Sequence, residues 1–297
     1  MKHLASLTRM RIRMAMRNKM FFFFIVIFPF GMFFVYSGIF AKGDPQAVRF
    51  FLGPVIALNV MGSFWGLSAA LVMYREQGIL RRFHVAPVTA GDMLASSVVA
   101  NFVFTMPIVI IEILLARILF HVRDMGNLIS LAVLVAVGTV SFASLGLVVA
   151  SVTNTMQETQ VINQLIWLPL IFLSGATLPL AYLPQLVQKI AVFLPATYLV
   201  LGLQDAMMNS KPVWHLLEQI LALTVWGCLA FFIAVQLFRW EPEEKVPRNA
   251  KLWALATIVP FLVLGVWENK HGRLLVQARS TYQSLSAPAT NSETPNR

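Results

Sequence analysis

Apolar residues in this chain come in membrane-length runs separated by short polar stretches. Runs of about 20 such residues, enough to cross roughly 30 Å of hydrocarbon as helix, cover residues 20–40, 50–73, 94–119, 128–152, 161–178 and 216–238. The pattern predicts an all-α polytopic membrane protein: six transmembrane helices in 20–238, with connections too short to hold a separate soluble domain. A further apolar stretch, 252–267, is broken by Pro260 and is of marginal length for a seventh C-terminal span. Residues 241–279 form this appendage, and 280–297, rich in Ser, Thr, Pro and Asn, are expected to be disordered.

The polar interruption at 75–89 departs most from a plain connection. Leu80, Phe83 and Val85 alternate there with Arg75, Glu76, Arg81 and Arg82, a mixture that predicts a short amphipathic helix ending before Pro87 and docking on a soluble partner. Residues 173–198 also stand out. Prolines at 179, 184 and 195 forbid one straight helix, while Leu186, Val187, Ile190 and Leu194 recur at helical spacing. The pattern predicts a short outer-face or re-entrant helix followed by an apolar piece at 196–203.

Composition agrees with membrane insertion: 58% hydrophobic and 12% charged residues, with mean hydropathy +0.73. The net charge of +10 is distributed by topology, which argues against nucleic acid as partner. Of 23 Lys and Arg, 17 fall on the N-terminal side of a six-span arrangement and six on the other, so both termini are expected in the cytoplasm. Within residues 1–19, Arg9, Arg13 and Arg17 repeat every fourth position beside Leu4, Leu7, Met10 and Met14. That pattern suits an interfacial helix lying on membrane lipids. A seventh crossing would carry Lys270, Arg273, Arg279 and Arg297 outside, against the charge rule, whereas hydropathy favours it.

Two features inside the spans admit competing readings. Gly62, Gly66 and Ala70 form a small-residue row, read as close helix packing within the bundle. Glu112 in the third span is either part of a substrate or proton pathway, or an outer-interface carboxylate paired with Arg117 or Arg123, the reading favoured here. No Gly-x-x-x-x-Gly-Lys-[Ser/Thr] phosphate loop and no His-Glu-x-x-His motif occurs, so the chain is not expected to be an enzyme. The single cysteine, Cys228, supports neither a disulfide framework nor a thiolate metal site.

Three stretches resemble the permease subunits of ABC type-2 exporters, which move drugs, lipids or polysaccharides. They are Arg75-Glu-Gln-Gly-Ile-Leu-Arg-Arg-Phe with the later Ala-Pro-Val, Leu173-Ser-Gly-Ala-Thr-Leu-Pro-Leu with Leu-Pro-Gln, and Leu194-Pro-Ala-Thr-Tyr-Leu-Val-Leu-Gly-Leu. Their order and spacing match over roughly residues 5–240, with Phe83-His84 replacing a more usual aliphatic pair. The resemblance implies that Glu76, Gly78, Leu80, Arg81 and Arg82 form a coupling helix seated on an ABC ATPase subunit, with ATP and magnesium bound there and no cofactor on this chain. It also implies a second permease copy, a prokaryotic inner-membrane location, and export of a hydrophobic or amphipathic compound. A proton-coupled secondary transporter using Glu112 is the rival expectation.

Overall fold

The computed structural model describes residues 8–10, 12–13, 27–84, 89–241 and 250–286. Among them every regular element is helical. The order is α1 (Phe28–Phe34), continued by widened turns through Phe40, then α2 (Pro45–Glu76), α3 (Ile79–His84), α4 (Ala90–Leu119), α5 (Leu128–Val152) and α6 (Met156–Leu173). Then come α7 (Gln185–Ala191), α8 (Pro195–Met208), α9 (Leu217–Leu237), α10 (Ala250–Ala256), α11 (Val259–His271) and α12 (Arg273–Ser286). The protein is an all-α polytopic membrane protein.

Polar residues placed at the ends of apolar runs start the long helices. Asp44 accepts from the Ala47 amide ahead of Pro45, and Asn127 and Thr155 cap α5 and α6. Thr89 and Asp92 form a reciprocal capping box at α4. The hub is α5, which packs chiefly on α9 and α2 and also touches α4 and α8. Glycines set these approaches: a methyl group at Gly146 would lie 2.4 Å from the Phe64 carbonyl oxygen on α2, and one at Gly227 on α9 would lie 2.5 Å from Ser141 Oγ. Ser141 Oγ also donates to the Leu223 carbonyl across the α5–α9 seam, and the Asn163 amide donates to Ser68 Oγ between α6 and α2, each within 2.8 Å.

Five described helices are long and apolar enough to cross a membrane, six if the α7–α8 pair, bent by 97°, counts as one span. Their inventory differs from the expected six. Residues 20–26 lie outside the described residues, and α6 falls short because Gln157, Glu158, Gln160, Asn163 and Gln164 occupy its first half. The bent pair delivers the re-entrant segment expected around 185–203, and Pro195 supplies the break.

The appendage is helical, and Leu252–His271 is long and apolar enough to cross a membrane; its first part, α10, packs on α5 and α9, and α11 lies beside α7 and α9. Two of the cations that argued against a crossing are engaged there: Arg273 stacks over the Trp267 ring at 5.2 Å, and Arg279 reaches Gln188. Residues 280–286, expected to be disordered, extend α12; residues 287–297 lie outside the described residues. Order is imposed on 280–286 by contact: Thr281 donates to fully buried Asp205, which also accepts from Gln277, Asn209 and Lys211, while Tyr282 meets Tyr182 and Phe50.

Gly146→Ala is expected to destabilise the bundle by about 1–3 kcal/mol through overpacking, whereas Gly62→Ala should change it by less than about 0.5 kcal/mol. Thermal unfolding of the purified protein checks both. Asp205→Ala should loosen α12 selectively, read as faster amide hydrogen exchange over residues 273–286.

Candidate functional site

At one end of the bundle α2 stops at Glu76 and the chain reverses through Gly78, whose φ of +67° and N–H bond to the Arg75 carbonyl form a left-handed turn into α3. Nothing lies within 4 Å of a methyl group placed on Gly78, so backbone conformation rather than space requires glycine there. The expected short helix in the loop is therefore present, but its residues are used differently. Leu80 is fully buried in an apolar cluster with Leu71, Val72, Met93, Leu94 and Leu147, so it fastens α3 to its own bundle instead of facing a partner. The ends of α2, α4 and α5 create that seat. Arg81 remains exposed and pairs loosely with Glu241 at 3.4 Å. The side chains of Arg82 and Phe83, and all of Val85, lie outside the described residues.

Arg75, expected in water, is 1% exposed. Its guanidinium donates to the carbonyls of Ala150 and Thr153, and Arg239 donates to those of Ser151 and Thr153 and to Asn154 Oδ1. Both cations thus occupy the C-terminus of α5, where unpaired carbonyls and the negative end of the helix dipole converge. One residue further on, the Glu76 carboxylate accepts from the Met156 amide at 2.8 Å, at the N-terminus of α6, where negative charge is favoured. The loop is consequently tied at once to α2, to the α5–α6 junction and, through Arg239, to the exit of α9. Arg239 was missed in the sequence because an arginine after an apolar run reads only as a topology anchor.

Beside this frame, α1, α2, α4 and α6 line a partly open cavity of about 630 Å³. Gly62 and Gly66 line it and have nothing within 4 Å of an added methyl group, so they open a wall instead of packing helices, contrary to expectation. The tight seams belong to Gly146 and Gly227. Trp65, Trp167 and Phe28 supply apolar surface, and Asn59, Ser63 and Asn101 supply polar atoms: Asn59 Nδ2, Ser63 Oγ and Asn101 Nδ2 have no hydrogen-bond partner among the described residues.

Glu112 is a second correction. It is 0% exposed and pairs with neither Arg117 nor Arg123, both of which are exposed. On α4 it continues the stripe Asn101, Thr105, Ile108, all three lining the cavity, so it points inward. Asn59 on α2 is the side chain that faces it, yet no completed hydrogen bond reaches either carboxylate oxygen among the described residues. Of the expected interfacial helix, residues 8–10 and 12–13 are helical with Arg9 and Arg13 exposed; Arg17 lies outside the described residues. No group of three or more metal-binding side chains occurs among the described residues.

A helical membrane bundle with a cavity and a fastened end loop defines the class. The chain belongs to the ABC-2 type transporter family, which it matches over residues 2–208. It is similar to the inner membrane transport permease YhhJ of Escherichia coli, 25% identical over 178 residues, covering 58% of this chain and 46% of that protein. The linearmycin resistance permease protein LnrN of Bacillus subtilis is 25% identical over 182 residues, covering 61% and 47%. Nodulation protein J of Rhizobium leguminosarum bv. trifolii is 31% identical over 124 residues, covering 42% and 47%. The matched part spans a little under half the length of these relatives.

Replacing Arg75 or Arg239 with Met should each cost about 3 kcal/mol, since charged hydrogen bonds to buried carbonyls are lost. Because both hold Thr153, the double variant should deviate from additivity by about 1 kcal/mol, measured by thermal or denaturant unfolding.

Proposed function

We propose that this chain is the membrane-spanning permease subunit of an ATP-driven exporter, moving a hydrophobic or amphipathic compound out of the cytoplasm or inner leaflet of a prokaryotic inner membrane. The observation that carries this reading is the loop at 75–84, which presents Arg81 at the surface and is gripped by Leu80, Arg75 and Glu76 so that a push on it reaches α2, α5, α6 and α9 together. ATP and magnesium belong to a separate ATPase subunit seated on that loop, and a second permease copy completes the path. The N-terminus and residues 75–89 then face the cytoplasm, and α7 and α12 the outside. Family membership supports it, as do the names of two relatives as permeases, one of them for linearmycin resistance.

The fully buried Glu112 favours one rival, a proton-coupled secondary transporter. Export from proteoliposomes decides between them. Dependence on a co-reconstituted ATPase and on ATP supports the proposal; transport that persists without the ATPase and stops with a protonophore overturns it. Under the proposal, Glu76→Lys should lower export per ATP hydrolysed by about fivefold or more, in the range of site-to-site coupling, while leaving basal hydrolysis by the partner intact.

A further inference from the structure

We propose that the cavity lined by α2, α4 and α6 binds an uncharged amphiphile, a ligand carbonyl oxygen accepting from Asn101 and Ser63 while the apolar body lies against Trp65 and Trp167. The cavity is of the size that holds drug-sized ligands, roughly 300–1,000 Å³. Trp65 on α2 and Trp167 on α6 meet edge to face, ring centroids 6.2 Å apart, and form an apolar corner of its wall. Asn101 on α4 and Ser63 on α2 line the same space and are only 9% and 5% exposed. Neither Asn101 Nδ2 nor Ser63 Oγ has a hydrogen-bond partner among the described residues. A buried donor left unpaired is costly, and a ligand acceptor removes that cost.

The same helices close such groups elsewhere. Between α2 and α6 the Asn163 amide and the Ser68 hydroxyl satisfy each other, and on α4 the Thr105 hydroxyl donates to the Asn101 backbone carbonyl. Asn59 also lines the cavity, but it faces Glu112 and is left to that residue. Asn101 and Ser63 thus remain as donors open to the cavity. The charge of the ligand follows from the lining itself. Among the described residues no Lys, Arg, His, Asp or Glu lines the cavity, and the fully buried Glu112 is not at the surface a ligand meets. An ammonium group has no acceptor for the Asn101 amide, and it would give up its hydration without a countercharge. A carboxylate would find donors but no cation to offset its desolvation. A neutral carbonyl meets the donors and surrenders the least hydration. Gln160 and Gln164, one turn apart on α6 and exposed, extend the uncharged polar strip toward further hydroxyl or ether groups of a ligand.

This inference rests on the permease reading only in placing the cavity on the cargo path; binding itself needs no ATPase. The test is equilibrium dialysis of the purified full-length permease in nanodiscs of diether phosphatidylcholine, whose lipids carry no ester carbonyl to compete. Empty nanodiscs fill the other chamber, so the excess of probe on the permease side reads binding to the protein. The probes share one skeleton and a fluorescent ring: 4-(naphthalen-2-yl)butan-2-one, the carbonyl-free 2-butylnaphthalene, and 4-(naphthalen-2-yl)butan-2-amine in its ammonium form. Wild type should bind the ketone at least about tenfold more tightly than either counterpart, equivalent to about 1.4 kcal/mol. Asn101→Leu and Ser63→Ala should each cut that advantage by about threefold, and the double variant should bring ketone and hydrocarbon level. Gly62→Leu, placed in open space, should weaken both by filling the cavity. A ketone bound no more tightly than the hydrocarbon, an ammonium bound as tightly as the ketone, an advantage intact in the double variant, or no binding of any probe overturns the inference. If Asn101→Leu fails to elute as a folded species, the Ser63→Ala and wild-type arms still decide it. Failure here leaves ATP-dependent export standing, because that is read separately in proteoliposomes.

Discussion

Two buried guanidinium groups at the end of α5 hold the frame of this molecule. In a low-dielectric bundle the last carbonyls of a helix have no water to turn to, and each must be met from within. Arg75 arrives from α2 and Arg239 from beyond α9, and both close on the Thr153 carbonyl. Since α5 is also the helix on which α2 and α9 pack, its terminus fixes the relative positions of the three central helices. The following polar turn, Thr153 to Met156, then starts α6 with Glu76 at its N-terminus. One patch of charge therefore ends one helix, begins another and anchors the loop at 75–84.

The opposite end uses an acid as its centre. Asp205, buried, gathers Asn209, Lys211, Gln277 and Thr281, so the segment beyond the family-matched region folds back over α8. Arg49 joins this end through Asp124 and the Met207 carbonyl. Complementary charges gather at the two ends, and between them the bundle relies on apolar packing, glycine seams and a few hydroxyl and amide contacts, with the buried Glu112 as an exception.

The cavity and the fastened loop share helices. α2, whose glycines open the cavity wall, is the helix that carries Arg75 and Glu76, and α6, which lines the other side, is the one that Glu76 caps. The loop and the cavity walls are thus joined directly through two shared helices.

Much of the architecture was legible in the linear pattern. Hydrophobic run lengths placed α2, α4, α5 and α9, and Pro195 marked the bend, because each rests on interactions between near neighbours in the chain. The loop at 75–89 was recognisable as a helix, and the resemblance carried by its motif named the family. What lay beyond reach were facts set by distant contacts: whether Leu80 faces in or out, which glycines touch backbone and which border a void, and that α12 is ordered by Asp205. Glu112 illustrates the limit. The sequence offered Arg117 and Arg123 as partners, yet both are exposed and the carboxylate is fully buried away from them. Hydrophobic run length by itself determined that these helices exist and roughly where they lie, since helix formation is local; only the tertiary packing decided which face each one buries, since burial depends on residues far away in the chain.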